Sequence, residues 1–228
     1  ITMQLSEIIE HLRRCPLATC LNEEEIIQLI KSGRLTQLEK GDFIFREKKE
    51  SNSIFFLIKG VVKIATHSTE GREVIKLIEH TGAVLGELSL TGEELRSDDC
   101  IVMSNDAYVL EVKRDVIRNL MDQNHKLALC IINFIGQKLK STEGRLESLL
   151  MNDARERIVG FLKDNAESYG QPVGYELLLK HNFTQQDIAN YTGTSRQTVT
   201  TVLNDLKKSN KIYFKRKAIL IRDMARLF

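Results

Sequence analysis

Residues 183–199 read FTQQDIANYTGTSRQTV and predict two short helices joined by a tight turn. Thr184 is placed to cap the first helix, and Asp187 stands three residues later, where a capping box requires an acceptor. Gly193 falls where the chain has to turn through a conformation that is costly for a residue with a side chain. This order of cap, helix, glycine and second helix predicts a helix-turn-helix.

The second helix of this motif is predicted to start after Thr194 or Ser195, either of which can cap it. Its apolar residues recur at helical spacing and predict the buried face: Val199, Val202, Leu203 and Leu206. Its outward face then carries Arg196, Gln197, Thr200 and Thr201. Arginine and glutamine can each form two hydrogen bonds with the edge of a guanine or an adenine, so this face favours DNA recognition. A helical hairpin that never contacts nucleic acid can share the pattern.

A basic hairpin is predicted after this motif, because two β-prone runs within Ile212–Ile221 flank Lys215, Arg216 and Lys217. From Asp153 onward the chain holds 13 lysines and arginines against 8 aspartates and glutamates, whereas the residues before it hold 20 against 23. This distribution favours a DNA-binding domain that follows a sensing or assembly domain, with the hairpin as a wing that contacts phosphates. A solvated turn is the alternative for the hairpin.

Length and composition exclude several other classes of protein. With 228 residues, the chain can form two domains that each have a core. No apolar run reaches membrane-spanning length and no secretory signal is visible, so we expect a cytoplasmic protein without a membrane partner. Cys15, Cys20, Cys100 and Cys130 are scattered, and we expect reduced thiols and no metal site. Neither a catalytic constellation nor a glycine-rich nucleotide loop appears, so we do not expect an enzyme.

The N-terminal half changes from a helical to a β-prone pattern. Residues 5–33 are predicted to be helical, with Asn22 as a cap before three glutamates. Between Leu35 and Val112, short β-prone runs alternate with glycine turns, at residues 42–45, 53–58, 61–65, 74–78, 100–103 and 108–112. Many short strands at close spacing indicate a sandwich or a barrel, here a jelly roll.

A long helix is predicted next, from about Asn124 to Met151, by apolar residues at helical spacing. It is longer than the average globular helix, and its broad apolar stripe favours a parallel partner helix from a second subunit. Packing on the chain's own barrel is the alternative, and both can hold. Asp153 can cap the following helix at residues 154–166, and residues 170–174 are predicted to form a loop.

Four segments carry a resemblance to a known family: Lys40-Gly41-Asp42, Phe56–Lys63, Gly86–Leu90 and Ser195–Val199. With a barrel, a long helix and a winged helix-turn-helix in this order, nearly the whole chain resembles the CRP/FNR family of bacterial transcription regulators. The resemblance implies an α+β fold with an N-terminal double-stranded β-helix (jelly-roll) sensor domain, a long dimerisation helix and a C-terminal winged helix-turn-helix. We place these domains at residues 1–123, 124–152 and 153–228. A homodimer, a pseudo-palindromic site in double-stranded DNA and RNA polymerase are the implied partners.

The resemblance also implies an effector site in the barrel, which the cyclic-AMP-binding members form from a Gly-Glu-Leu helix, an Arg-Ser pair and a hydroxyl of the long helix. The matching residues are Gly86, Glu87, Leu88, Ser89, Arg96, Ser97 and Thr142. Helix amides and a guanidinium suit a cyclic phosphate, and a carboxylate can accept from a ribose hydroxyl. Asp98, Asp99 and Glu143 depart from the family pattern, and the two aspartates disfavour a phosphate.

One expectation is therefore that cyclic AMP or another cyclic nucleotide is the effector. The alternative is that the effector is a different small molecule, or that the protein is active without a ligand. The iron–sulfur branch of the family needs a tight cysteine group, which Cys15 and Cys20 alone do not supply. Haem is also disfavoured, although His80 or His125 could ligate it.

For DNA, the resemblance implies that Arg196, Gln197 and Thr201 face the bases, while Thr184 and Gln186 lie near phosphates. The full predicted interface is Thr184, Gln186, Ser195, Arg196, Gln197, Thr200, Thr201, Lys215, Arg216 and Lys217. Arg196 matches an arginine that reads a guanine. Gln197 stands where glutamate is usual, and Thr201 stands where the cyclic-AMP regulator has arginine, so the preferred half-site should differ from the usual one. Target genes, and activation versus repression, are not decided by these residues.

Overall fold

The computed structural model describes residues 3–227, which divide into two compact units. The first unit runs up to Glu70 and continues with Lys76–Ser141, while the second comprises Gly71–Ile75 and the residues from Thr142 onward. Domain limits at residues 123 and 152 stay predictions, and residues 1, 2 and 228 of the predicted domains lie outside the described residues.

The N-terminal segment is helical in three pieces: α1 (Leu5–Leu12), a 3-10 helix (Pro16–Cys20) and α2 (Glu23–Ser32). Asn22 caps α2 as predicted, since its side chain accepts a hydrogen bond from the amide of Glu25. Residues 5–33 are thus mainly helical, as predicted, and short non-helical segments separate the three pieces. Pro16 stands at the start of the 3-10 helix, where it has no amide hydrogen to give to a preceding turn.

Two four-stranded sheets form the barrel, which confirms the predicted jelly roll. The first has the order β1-β8-β3-β6, with β1 (Arg34–Leu38), β8 (Ala107–Lys113), β3 (Ser53–Lys59) and β6 (Val84–Leu85). The second has the order β2-β7-β4-β5, with β2 (Phe43–Phe45), β7 (Asp99–Val102), β4 (Val61–His67) and β5 (Glu73–His80). Neighbouring strands β3 and β8 are antiparallel, with Phe55 opposite Glu111.

Strand β3 separates two apolar cores because successive side chains of a strand point to opposite faces. Phe55 and Leu57 pack inside the barrel with residues of both sheets. Ile54, Phe56 and Ile58 pack on the other face against the helices. This explains why the strand is an unbroken apolar run: both of its faces are buried.

Two helices follow the barrel, α3 (Arg114–Gln123) and α4 (His125–Met151). The long helix α4 is confirmed, whereas α3 was not predicted. Asn124 separates them, and its side-chain amide donates to the carboxylate of Glu25 at 3.0 Å and to the Cys20 carbonyl at 3.2 Å. These bonds fix the point where α4 begins.

After the end of α4, the described part of the second unit combines three helices with a four-stranded sheet of order β11-β12-β10-β9. Its elements are α5 (Ala154–Tyr169), β9 (Gln171–Val173), β10 (Glu176–Lys180), α6 (Gln185–Thr192), α7 (Arg196–Lys208), β11 (Ile212–Lys215) and β12 (Ala218–Ile221). Asp153 caps α5 as predicted, in a capping box with Glu156. The loop predicted at residues 170–174 was wrong, since it contains β9. Pro172 is tolerated there because β9 is an edge strand.

Candidate DNA interface and effector site

Helix α6 begins at the predicted capping box. The Thr184 hydroxyl accepts from the Asp187 amide at 3.1 Å, and the Thr184 amide donates to the Asp187 carboxylate at 2.8 Å. Both residues thereby satisfy main-chain donors that the first turn leaves unpaired. Ile188 and Ala189 are buried on the inner face, as expected for a helix that another helix approaches closely.

Gly193 forms the turn between α6 and α7 in the left-handed conformation, with φ of 64°. Two arginines that the sequence reading missed hold the end of α6. Arg157 donates from Nε to the Thr192 carbonyl at 2.8 Å, and Arg145 of α4 donates to the Tyr191 carbonyl at 2.6 Å. Cations at these carbonyls also suit the negative end of the helix dipole. Nothing in the local sequence pairs either arginine with α6.

Ser195 caps α7, since its hydroxyl accepts from the Thr198 amide at 3.0 Å, which decides between Thr194 and Ser195. The four predicted apolar residues of α7 are buried, and Arg196, Gln197 and Thr201 are exposed. Thr200, which was also predicted to lie on the outward face, differs from these three residues in its exposure. It is half-buried, and its hydroxyl donates to the Gln185 side chain at 2.7 Å.

The predicted wing is present as the β11–β12 hairpin, with Lys215 opposite Ala218. Lys215, Arg216 and Lys217 are exposed at its tip. The Lys217 carbonyl accepts from the His181 amide at 3.0 Å, which ties the tip to the segment before α6. Thr184 and Gln186 are exposed as well, so the structure leaves all five of these side chains open to solvent.

The barrel unit brings Gly86 and Arg96 together, as the predicted effector site requires. Gly86 has φ of 74°, and a Cβ atom on it would come within 2.6 Å of the guanidinium. Arg96 is only 3% exposed and donates to the Gly86 carbonyl at 3.2 Å and to the Ser53 carbonyl. Its guanidinium also lies 4.5 Å from the centre of the Phe45 ring. Burial lowers the pKa of Arg96, and the charge of Glu93 partly opposes that shift.

Glu87, the predicted ribose ligand, opens a short 3-10 helix (Glu87–Thr91) and is bound to Lys138 of α4 at 2.8 Å. Glu79 lies 3.4 Å from the same ammonium group. Burial by itself lowers the pKa of Lys138, but the charges of Glu87 and Glu79 outweigh it, so the net pKa is raised. Lys138 was missed because nothing on α4 indicates the strand and loop that it meets.

The remaining predicted effector residues differ in their surroundings. Ser89 is buried, Leu88 is exposed, and Ser97 donates from its hydroxyl to Glu93 at 2.7 Å. Asp98, which we expected to repel a phosphate, is paired with Lys76 at 2.6 Å. Thr142 is exposed on α4 within the second unit, and its role stays a prediction.

Within residues 3–227, no cluster of three or more His, Cys, Asp and Glu side chains could hold a metal ion. All four cysteines are free thiols. Burial raises the pKa of Cys15 to about 12, so this thiol is not a thiolate at neutral pH. Among the helices of residues 3–227, none is long and apolar enough to span a membrane.

Two family models match the chain. A cyclic nucleotide-binding domain matches residues 35–124, and a Crp-like helix-turn-helix domain matches residues 156–228. The first contains the Gly86–Ser97 region, and the second contains α6, α7 and the wing.

Relatives of known name align along most of the chain. A CRP-like cAMP-activated global transcriptional regulator of Mycobacterium tuberculosis (strain ATCC 25618 / H37Rv) is 26% identical to this chain. The alignment covers 96% of this chain and 97% of that regulator. The anaerobic regulatory protein of Bacillus subtilis (strain 168) is 23% identical over 82% of this chain and 78% of the relative. The solved structure of FixK2 from Bradyrhizobium japonicum superposes with a TM-score of 0.77 at 20% identity, covering 86% of this chain and 95% of that one. At this identity the superposition establishes the fold alone.

Proposed function

Since this chain belongs to the CRP/FNR family of transcription regulators, which have an effector-binding domain, we propose that it is a homodimer that binds a specific two-fold symmetric DNA site. Helix α7 is the recognition helix, and a small effector bound in the barrel controls DNA affinity. If effector and DNA are coupled, each must change the affinity for the other by the same factor.

The observation that carries the DNA proposal is the open outward face of α7. Arg196, Gln197 and Thr201 are exposed, and Ser195 fixes the first turn from which two of them project. Within residues 3–227, no hydrogen bond or ion pair engages the guanidinium of Arg196 or the amide of Gln197. Side chains with this geometry can form bidentate bonds with base edges in the major groove.

The wing supports the same proposal through charge. Lys215, Arg216 and Lys217 place three cations at an exposed tip beside the α6–α7 motif. Phosphate contacts of this kind supply affinity and fix orientation, while the α7 side chains supply sequence preference. Thr184 and Gln186 at the start of α6 are further candidates for phosphate contacts.

The dimer proposal rests on apolar residues that α4 leaves exposed. Ile132, Leu139 and Leu146 recur every seven residues, and they are 63%, 59% and 57% exposed. Leu129 and Leu150 extend the same stripe at spacings of three and four residues. An apolar stripe with this spacing can pack against a second, parallel copy of α4, which provides a matching stripe.

For the effector we propose a small anion held near Gly86, Glu87, Ser89, Arg96 and Ser97, with cyclic AMP or another cyclic nucleotide as the leading candidate. Support comes from the cyclic nucleotide-binding domain model and from the close approach of Gly86 to Arg96. A second candidate is a regulator with a different effector or none. Internal bonds of Glu87 to Lys138 and of Ser97 to Glu93 favour it, because they engage groups that a cyclic nucleotide needs.

Selection of binding sites from random double-stranded DNA tests the DNA proposal, with analytical ultracentrifugation of the same protein to measure its oligomeric state. We expect a dimer and two inverted half-sites, centred about one helical turn apart. A monomer, or a dimer that enriches no sequence, would contradict the proposal. RNA polymerase as a partner and the cytoplasm as location follow from this function and stay predictions.

A further inference from the structure

Glu93 lies where several hydrogen-bond donors of the barrel unit converge. Its Oε1 accepts from the Ser97 hydroxyl at 2.7 Å and from the Ser97 amide at 3.2 Å. Its Oε2 accepts from the Ser51 hydroxyl at 2.6 Å, and Nη1 of Arg96 lies 3.6 Å from the same oxygen. Two hydroxyls, a main-chain amide and a guanidinium that point at two oxygens form a receptor for an anion.

The side chain of Glu93 is largely buried, although Ser97 beside it is exposed. The Glu93 side chain is 15% exposed, while Ser51 and Arg96 are 1% and 3% exposed. Burial by itself raises the pKa of Glu93, but hydrogen bonds from Ser51 and Ser97 and the charge of Arg96 outweigh it, so the net pKa is lowered. The carboxylate is therefore ionised at neutral pH.

Main-chain hydrogen bonds hold this arrangement in place. The Ser51 amide donates to the Glu94 carbonyl at 2.8 Å, and the Arg96 amide donates to the Lys49 carbonyl at 2.7 Å. These bonds join the loop that carries Glu93 to the turn before β3. Glu93 therefore meets Ser51 across two segments that are fixed to each other, not by a chance contact of a mobile side chain.

We propose that Glu93 is an internal ligand of the effector site, and that its carboxylate occupies the position an external phosphate-type anion requires. A phosphate needs the same donors that Glu93 uses, and two anions cannot share them without strong repulsion. An external anion binds only when Glu93 is displaced, so Glu93 determines which ligands the site accepts. This inference rests on the effector site proposed above.

Two further polar groups belong to the predicted effector residues and lack a partner. In the described part of the chain, the Ser89 hydroxyl and Nε of Arg96 are buried without a hydrogen-bond partner. Buried polar groups are normally paired, and an unpaired one costs stability. Displacement of Glu93 would free the donors of Ser51, Ser97 and Arg96 for an incoming anion.

Isothermal titration calorimetry of the full-length protein tests the proposal with cyclic AMP as the probe. The variants are E93A, E93Q and the matched control E94A. Glu94 is exposed, and its substitution removes the same charge from the neighbouring position. We expect E93A to bind cyclic AMP at least about tenfold more tightly than the natural sequence, which corresponds to about 1.4 kcal/mol. E93Q keeps the shape without the charge and should show a smaller gain, and E94A should show none.

Equal affinity of E93A and the natural sequence for cyclic AMP would overturn the proposal, as would an equal gain in E94A. If E93A does not fold, as judged by circular dichroism, a gain in E93Q supports the proposal and unchanged affinity in E93Q overturns it. Binding of the selected DNA is measured on the same samples. If the proteins bind the DNA specifically but E93A gains no affinity for cyclic AMP, only the proposed role of Glu93 is refuted. If neither the natural sequence nor any variant binds DNA specifically, the proposed function is refuted.

Discussion

Two arginines of this protein carry the same charge in opposite surroundings. Arg96 of the barrel unit is buried, donates to the carbonyls of Gly86 and Ser53, and lies near the carboxylate of Glu93. Arg196 at the start of α7 is exposed, and its guanidinium has no hydrogen bond or ion pair within residues 3–227. The terminal nitrogens of the Arg96 guanidinium are engaged inside the protein, while the guanidinium of Arg196 keeps its donors available.

This contrast separates two uses of a cation. Removal of a buried, bonded charge leaves acceptors and a counter-charge without a partner, so its main effect falls on the fold. Removal of an exposed, unbonded charge leaves the fold almost unchanged, so its main effect falls on a binding partner. The same substitution in the two places should therefore be detected by different measurements.

The largest effect is expected for Arg96→Ala. Loss of the guanidinium removes the buried donors to the carbonyls of Gly86 and Ser53 and the positive charge beside the Glu93 carboxylate, and it should lower the free energy of unfolding by about 3 kcal/mol. Urea unfolding followed by circular dichroism measures this loss. The control is Arg118→Ala on α3 of the same unit, since Arg118 is exposed and should cost less than about 0.5 kcal/mol. Similar losses in both variants would show that Arg96 is not the stabilising group inferred here.

A smaller effect, on a different property, is expected for Arg196→Ala. Loss of a bidentate contact with guanine should weaken binding to the selected DNA by about 1–3 kcal/mol and relax the preference at one base position. The free energy of unfolding should change by less than about 0.5 kcal/mol, because the side chain is exposed. Fluorescence anisotropy with the selected site and with single-base variants measures the DNA affinity and the base preference.

Arg226→Ala is the matched control, because it removes the same charge from another exposed position of the second unit. We expect it to leave the base preference unchanged. An equal loss of affinity for every DNA sequence in Arg196→Ala would mean that Arg196 contacts phosphates and does not read a base.

The helix-turn-helix and the wing could be predicted because their signals are local. Thr184, Asp187 and Gly193 each act within a few residues of their own position, and the apolar residues of α7 recur at helical spacing. Base-facing roles for the exposed residues of α7 came from the resemblance and stay predictions. Thr200 differs from the predicted pattern because its hydroxyl bonds to Gln185 of the preceding helix.

The internal partners of the charges in the predicted effector site could not be predicted, since these partners are far away in sequence. Lys138 and Glu87 are 51 residues apart, and Ser51 and Glu93 are 42 residues apart. The resemblance assigned Glu87 and Arg96 to one predicted site, but it gave no sign that internal groups would bind them. The edge strand β9 was missed for a different reason, because Pro172 favours a loop unless the strand has an unpaired edge.

The smallest effect is expected at the wing, where Arg216→Ala should weaken binding to all DNA sequences alike. Each phosphate contact contributes about 0.9 to the slope of log affinity against log salt concentration, so loss of one contact should reduce that slope by about this amount. Anisotropy titrations at several salt concentrations measure the slope on the selected site and on random DNA. Lys31→Ala in α2 is the control, because it removes an exposed positive charge from the barrel unit and should leave the slope unchanged. A changed base preference in Arg216→Ala would mean that the wing reads sequence, and the division between an open reading face on α7 and a phosphate-binding wing would then have to be redrawn.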